Sequence, residues 1–166
     1  MVLSTADGDG QPSGRFVLLK AVDERGFSFY TNLESRKARA LGANPRASLC
    51  FYWRELGKQV RIEGTVERVS EAEADAYFAT RPRESQIGAW ASKQSSTLAS
   101  RQALDESVAE MNARFDGVSV PRPPFWSGYR VVPAMIEFWT RDAARLHLRE
   151  RYERSGTSWT KALLFP

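Results

Sequence analysis

The sequence predicts an α+β protein that is mainly β, with a single domain built around an antiparallel barrel or sheet. Two observations indicate this class. Apolar runs separated by glycine-containing turns occupy both ends of the chain, whereas capped helical patterns occupy its middle. The length of 166 residues favours one domain.

The N-terminal part is predicted to be a meander of antiparallel hairpins. A β-compatible run at 1–6 precedes an Asp-Gly-Asp-Gly turn at 7–10. The apolar run RFVLLKAV (15–22) follows, and a second turn at 23–26 leads into the aromatic strand FSFYT (27–31). Runs of this kind around glycine-containing turns are typical of neighbouring antiparallel strands.

A short helix and two further strands are predicted next. The helix covers 35–41 and ends near Gly42. The strands cover 47–53 and 59–69. In the second strand, Val60, Ile62 and, past Gly64, Val66 indicate one buried face.

Three helices are predicted in the middle of the chain. Ser70 is a suitable N-cap for the first, which ends near Thr80 because the residue before Pro82 disfavours helix. Pro82 opens a second helix that runs to about Trp90, and Ser100 caps the third. The third helix carries one apolar stripe, formed by Leu104, Val108, Met111 and Phe115.

The C-terminal part returns to β structure. A proline-rich connector covers 118–124, and strands are predicted at 128–139, 144–153 and 157–164. No internal repeat or low-complexity segment is found.

Composition excludes several classes of function. With one Cys and one His, neither a disulfide framework nor a metal site of the usual Cys/His kind is expected. Lys and Arg (24) exceed Asp and Glu (20) by four, which suits an anionic partner. No dense basic stripe indicates nucleic acid, and no long apolar run or signal peptide is present. We therefore expect a cytoplasmic protein that binds neither nucleic acid nor membrane.

The segment RLHLR (145–149) is the first candidate for chemistry. If it is a strand, then Arg145, His147 and Arg149 share one face and two leucines occupy the other. Such a face could hold an anion or an electron-rich ring. It could equally be a solvated strand edge with its leucines in the core.

Two other groups of residues suit a phosphate. Tyr77, Arg81 and Ser85 are four residues apart, and a kinked helix can keep their donors convergent. Arg36 and Lys37 lie at the start of a predicted helix, where anions bind readily. Each group is also compatible with an ordinary solvated surface. Neither a Rossmann nor a P-loop motif occurs. The basic clusters and abundant aromatic residues, with few acid–base groups, favour binding of a phosphorylated planar molecule and a cofactor with its own reactivity.

Motifs along nearly the whole chain are similar to those of one known family. They are RFVLLK (15–20), FYTNLESRKA (29–38), ASLCFYW (47–53), KQVRIEG (58–64), YFATRPRESQIGAWASKQSS (77–96), FWSGYRV (125–131), IEFW (136–139) and RLHLR (145–149). In this order they resemble the pyridoxine (pyridoxamine) 5′-phosphate oxidase family of FMN-dependent enzymes. The stretch RPRESQIGAWASKQSS is the most specific of them.

This resemblance implies a split antiparallel β-barrel with peripheral helices, as one FMN-binding domain over 1–166. Its region from about 125 to 166 would serve dimerisation and substrate binding. The implied assembly is a homodimer with FMN at the subunit interface. The implied FMN contacts are Arg15, Phe16, Val17, Leu18, Leu19, Lys20, Tyr30, Thr31, Arg36, Lys37, Gln59, Gln94, Ser95, Trp139 and Arg149.

The implied reaction is the oxidation of pyridoxine or pyridoxamine 5′-phosphate to pyridoxal 5′-phosphate. A hydride leaves C4′ for flavin N5, and molecular oxygen reoxidises the flavin and yields hydrogen peroxide. Arg145 and His147 are the implied catalytic residues, which would steer the C4′ substituent and stabilise developing charge. The implied substrate contacts are Lys20, Tyr77, Arg81, Ser85, Arg145, Leu146 and His147.

Three features depart from the family pattern. Leu148 stands where the family usually has Asp, and Thr140-Arg141 stands where it usually has Gln-Gly. Because Leu148 faces away from Arg149 on a strand, we expect its effect to fall on packing or on a supporting hydrogen bond. The family's upstream segment is expected to be missing, which would leave a more open substrate site.

Two alternatives stay open. A related flavin oxidase of the phenazine-biosynthesis type could use the same scaffold, although the retained phosphate-binding set favours a phosphorylated substrate. A non-catalytic protein that binds FMN or pyridoxal phosphate is the second alternative.

Overall fold

The computed structural model describes all 166 residues and confirms a mainly β architecture with four helices. The strands are β1 (Val2–Ala6), β2 (Pro12–Phe16), β3 (Ala21–Asp23), β4 (Gly26–Asn32), β5 (Arg46–Trp53), β6 (Lys58–Arg68), β7 (Trp126–Thr140), β8 (Leu148–Ser155) and β9 (Ser158–Leu163). The helices are α1 (Arg36–Ala43), α2 (Glu71–Ala79), α3 (Arg83–Ala91) and α4 (Arg101–Arg114). The sheet has the order β2-β1-β5-β6-β7-β4-β3, with β8 paired to β7 and β9 paired to β8.

Contacts within the chain divide it into two compact units. The first comprises Met1–Phe29, Ala40–Glu67 and Arg130–Pro166, and the second comprises Tyr30–Arg39 and Arg68–Tyr129. The single domain over the whole chain stays a prediction. None of the helices combines the length and apolar character that crossing a membrane requires.

An apolar row crosses three strands of the first unit. Leu3 pairs with Leu49, and Leu49 pairs with Ile62, in antiparallel register. All three side chains are fully buried. Burial of each contributes about 1.5–3 kcal/mol to folding. The predicted buried face is therefore confirmed at Ile62, whereas Val60 and Val66 are half-buried.

Gly64 interrupts the alternating pattern of β6 because the backbone of β7 passes very close to it. A Cβ atom at this position would lie 2.0 Å from the carbonyl oxygen of Val132. No side chain fits there, so the glycine allows close approach of the two strands.

The apolar run RFVLLKAV is not one continuous strand. β2 ends at Phe16 and β3 begins at Ala21. Between them, the N–H of Val17 donates to the carbonyl of Met1 at 3.0 Å, and that of Lys20 donates to Ser28 at 2.9 Å. The chain changes its pairing partner within the run, which the apolar pattern does not reveal.

The second unit contains three helices whose predicted starts are confirmed. Ser70 and Glu73 form a reciprocal capping box at α2, with bonds of 3.2 and 3.1 Å. The Ser100 side chain accepts the N–H of Ala103 at 3.1 Å and caps α4. The core of this unit consists of Phe78, Ile87, Phe115, Val120 and Trp126.

Candidate active site

The predicted site residues occur in both compact units. The first unit holds Arg15, Phe16, Val17, Leu18, Leu19, Lys20, Gln59, Trp139, Arg145, Leu146, His147 and Arg149. The second holds Tyr30, Thr31, Arg36, Lys37, Tyr77, Arg81, Ser85, Gln94 and Ser95. Within each unit, several residues that are distant in sequence come into contact.

A buried lysine, itself a predicted FMN contact, bonds to two others. Lys37 lies in the first turn of α1 and is only 9% exposed. Its Nζ donates to Thr31 Oγ1 at 3.0 Å and to Gln94 Oε1 at 2.9 Å. The hydroxyl of Thr31 also donates to Gln94 Oε1 at 3.0 Å. A cation beside a helix N-terminus favours an anionic group there.

Two exposed residues adjoin this lysine cluster in sequence. Arg36 is the first residue of α1 and adds a second positive charge. Ser95 follows Gln94 and has a φ of 72°, a left-handed conformation that costs a residue with a side chain about 1–3 kcal/mol. Backbone strain of this kind occurs most often at functional sites.

Three aromatic rings form a stack in the second unit. The ring centroids of Tyr30 and Tyr77 are 4.0 Å apart, and those of Tyr30 and Trp126 are 5.4 Å apart. The hydroxyl of Tyr30 donates to the carbonyl of Glu73 at 3.4 Å. The stack places a predicted FMN contact, Tyr30, against a predicted substrate contact, Tyr77.

Arg81 packs on the same tryptophan with part of its hydrogen-bonding capacity unused. Its guanidinium carbon lies 4.7 Å from the centroid of Trp126 and 5.4 Å from that of Phe78. Burial lowers the pKa of Arg81, while the adjacent Tyr77 acts in the opposite direction. Its Nη1 is buried without a hydrogen-bond partner. A phosphate oxygen would satisfy this donor. Ser85, in the first turn of α3, is half-buried.

The end of β2 and the residues that follow it contain one charged side chain that is hydrogen-bonded and two apolar side chains that are exposed. Arg15 Nη1 donates to Thr5 Oγ1 at 2.8 Å and to the carbonyl of Leu3 at 3.2 Å. In contrast, Phe16 is 84% exposed and Leu18 is 69% exposed. Apolar side chains this exposed are candidates for contact with a ligand or a second protein copy.

Arg149 is held by the carboxylate of Glu137, which no motif of the sequence marked as a site residue. Glu137, which is 2% exposed, accepts bonds from Arg149 Nε at 2.8 Å and Nη2 at 3.1 Å. Arg61 Nη2 donates to the same carboxylate at 3.0 Å. The bonds from Arg149 hold the pKa of Glu137 below its usual range, although burial opposes this. The sequence signal for this residue is an acidic side chain within the otherwise apolar segment IEFW (136–139).

The predicted strand at 144–153 is wrong for its first residues, because β8 begins at Leu148. Arg145 and His147 therefore lie in a loop, and strand alternation does not align them with Arg149. The two leucines do not face a core within this chain, since Leu146 is 72% and Leu148 is 50% exposed.

Asp142 closes this loop. Its carboxylate accepts the backbone N–H groups of Ala144 at 2.8 Å and Leu146 at 3.3 Å. Arg145 adopts a φ of 64°, and its N–H donates to the carbonyl of Asp142 at 3.2 Å. An aspartate that bonds to backbone N–H groups ahead of it competes with strand formation, which explains the incorrect strand start.

The imidazole of His147 is oriented from two sides. The backbone N–H of Asp142 donates to its Nδ1 at 3.1 Å. Its ring centroid lies 4.5 Å from that of Trp139, with the planes inclined at 45°. Because Nδ1 accepts a hydrogen bond, the neutral ring carries its proton on Nε2, which can donate to a ligand.

Comparison with known proteins identifies the family. Residues 1–115 match the model described as pyridoxamine 5′-phosphate oxidase. Residues 126–166 match the pyridoxine 5′-phosphate oxidase C-terminal dimerisation region.

Full-length relatives and solved structures agree with these matches. The pyridoxine/pyridoxamine 5′-phosphate oxidase of Rubrobacter xylanophilus is 59% identical over 100% of this chain and 76% of its own length. That of Myxococcus xanthus strain DK1622 is 57% identical over 100% of this chain and 81% of its own length. The structure of PhzG from Burkholderia lata superposes with a TM-score of 0.94 at 40% identity, over 99% of this chain and 81% of PhzG.

The antiparallel sheet with its four helices defines the chain as a split-barrel protein. The chain belongs to the pyridoxamine 5′-phosphate oxidase family. This membership confirms the predicted split-barrel fold and the predicted class of enzyme, an oxidoreductase.

Proposed function

We propose that this chain oxidises pyridoxine or pyridoxamine 5′-phosphate to pyridoxal 5′-phosphate, with FMN as cofactor, O2 as acceptor and H2O2 as product. The observation that carries the proposal is 59% identity, across the whole chain, to a relative named for this activity. A location in the cytoplasm and a single FMN-binding domain are part of the same proposal.

The groups in each unit fit FMN. In the second unit, the buried Lys37 ammonium at the start of α1 and the neighbouring Arg36 supply positive charge for its phosphate. In the first unit, Arg15, Trp139 and Arg149 supply donors and a ring face. When bound, FMN would supply the hydride acceptor for the oxidation at C4′, with oxygen as the final electron acceptor.

The chain itself binds and orients the substrate. We assign the substrate phosphate to Lys20, Tyr77, Arg81 and Ser85, and the unpaired Nη1 of Arg81 supports this assignment. His147 would donate from Nε2 to the C4′ substituent, and Arg145 would steer the same substituent and stabilise the charge that develops during hydride transfer. Removal of Arg145 or His147 should therefore lower turnover far more than FMN content.

A homodimer is part of the proposal. Strand alternation and register place Phe138, Leu148 and Leu163 on one face of β7, β8 and β9, and they are 43%, 50% and 68% exposed. A second copy would bury these exposed apolar side chains. Light scattering after size exclusion checks the assembly, and a monomer at micromolar concentration would contradict it.

One assay tests the enzyme assignment. The purified protein is examined for a flavin spectrum and supplied with pyridoxine 5′-phosphate in air, while pyridoxal 5′-phosphate and H2O2 are measured. We expect both products to form in equal amounts. Flavin without turnover would favour a non-catalytic binding protein, and failure to take up FMN would refute the proposal.

The second candidate is oxidation of a phenazine precursor, because the PhzG structure contains tetrahydrophenazine-1-carboxylic acid. The same preparation can be supplied with that compound. A kcat/KM that exceeds the value for pyridoxine 5′-phosphate would select this candidate instead.

A further inference from the structure

We propose that Glu137 is a positioning residue that orients the Arg149 guanidinium toward the flavin. This inference rests on the proposed function, in which Arg149 contacts FMN. Glu137 lies on β7 and is 2% exposed, although its neighbours in sequence, Ile136 and Phe138, are more accessible. A carboxylate so deeply buried requires compensating partners.

The hydrogen bonds fix the plane of the Arg149 guanidinium. Its Nε and Nη2 donate to the two oxygens of Glu137 at 2.8 and 3.1 Å, which is a bidentate pairing. Its Nη1 donates to the carbonyl of Phe165 at 2.9 Å. A guanidinium has about five N–H donors, so one on each terminal nitrogen is left for another acceptor. The direction of those two donors is set by the carboxylate.

Glu137 is surrounded by more positive charge than its single carboxylate can neutralise. Arg61 bonds to it from β6, and Arg151, its register partner on β8, also lowers its pKa. One buried carboxylate therefore faces three guanidinium groups and stays ionised at neutral pH. Because buried ion pairs contribute little stability relative to apolar packing, orientation of Arg149 is the better explanation for this cluster.

The pairing with Glu137 also holds Arg149 beside another proposed flavin contact. Trp139 lies directly opposite Arg149 in the β7–β8 register, and it shares a strand face with Glu137. Loss of the carboxylate would release the guanidinium while leaving Trp139 on its strand. The expected defect is therefore in FMN binding more than in folding.

A double-mutant cycle tests this inference. The Kd for FMN is measured by flavin fluorescence quenching for the flavin-free wild-type chain and for E137Q, R149Q and the double variant. We expect E137Q to weaken binding about tenfold, the scale of one charge-assisted hydrogen bond. In the R149Q background, E137Q should change the Kd by less than about twofold, because a positioning residue acts only through its partner.

Two further variants complete the test. E153Q removes an exposed carboxylate that pairs with Arg151 at 3.3 Å on the same hairpin, and it should leave the Kd unchanged. R149K keeps a cation opposite Glu137 and replaces R149Q in the cycle if R149Q does not fold. If E137Q raises the Kd for FMN tenfold in both the wild-type and the R149Q backgrounds, the inference is refuted. It is also refuted if E137Q folds and leaves the Kd unchanged. Either result leaves the proposed function intact. A wild-type chain that takes up no FMN refutes the proposed function as well.

Discussion

Replacement of Arg81 by methionine separates substrate binding from folding. The variant Arg81→Met removes the charge and every N–H donor but keeps an unbranched stem against Trp126 and Phe78. In the wild type, the guanidinium lies 4.7 Å and 5.4 Å from these ring centroids, and Nη1 has no partner. The substitution therefore removes a cation–π contact together with a desolvated donor.

The two effects on stability nearly cancel. Loss of the cation–π contact costs about 0.5–2 kcal/mol, whereas removal of an unsatisfied buried donor restores about 1–3 kcal/mol. We expect the free energy of unfolding to change by less than about 2 kcal/mol. One lost hydrogen bond to a phosphate costs about 1.5–3 kcal/mol, which corresponds to an increase in KM of about 10- to 160-fold.

The assay is steady-state oxidation of pyridoxine 5′-phosphate, combined with urea unfolding. The matched control is Arg114→Met, since Arg114 also stacks on two rings of the second unit, Trp90 at 5.0 Å and Phe115 at 5.1 Å. We expect the KM of this control to match the wild type. An increase below threefold for Arg81→Met, or an equal increase for both variants, would refute the reasoning.

Three other predictions concern single positions. Gly128→Ala should lower the free energy of unfolding by about 1–3 kcal/mol, because the new Cβ would lie 2.7 Å from the ring of Tyr30; urea unfolding measures this. Because the pKa of Glu137 is lowered in the folded state, its ionised carboxylate should stabilise the protein fully above the ordinary glutamate pKa of about 4.3. This contribution should be lost as pH falls through the lower, folded-state pKa. Unfolding measured from pH 7 to pH 3 checks this, and the stability of Glu137→Gln should depend less on pH. Asp142→Ala should lower kcat about tenfold, on the scale of one lost hydrogen bond, without changing the Kd for FMN, because the loop that orients His147 loses its acceptor.

Each of these has a matched comparison. Gly88→Ala lies where an added Cβ meets nothing within 4 Å, so a similar loss of stability there would contradict the steric argument. Glu153→Gln should retain the pH dependence of the wild type. Asp142→Asn keeps a side-chain oxygen for the loop N–H groups and should retain most of the activity; a loss equal to that of Asp142→Ala would exclude the acceptor role.

Elements with local causes were predicted well from the sequence. The capping residues Ser70 and Ser100 and the helix-opening Pro82 act on atoms a few residues away, and α2, α3 and α4 begin where they predict. The strand predicted from position 144 failed because Asp142 binds nearby backbone groups, and sequence alternation does not reveal that competition.

Contacts between distant segments required the structure. The spacing of Tyr77 and Arg81 indicated convergent donors, but their common packing on Trp126 joins parts of the chain that are far apart. Likewise, the Lys37–Gln94 bond links positions 57 residues apart. Residue type identified these groups as candidates, whereas their partners depend on the path of the whole chain.

The sequence by itself determined the fold class, the helix starts and the family, because each depends on local chemistry or on motifs in a definite order. Only the tertiary structure revealed the buried Glu137 between Arg61 and Arg149, and the exposure of Phe16 and Leu18. The physical reason is that burial and ion pairing depend on which strands become neighbours. An acidic residue in an apolar segment acquires its role only when strands from elsewhere in the chain bring arginines to it.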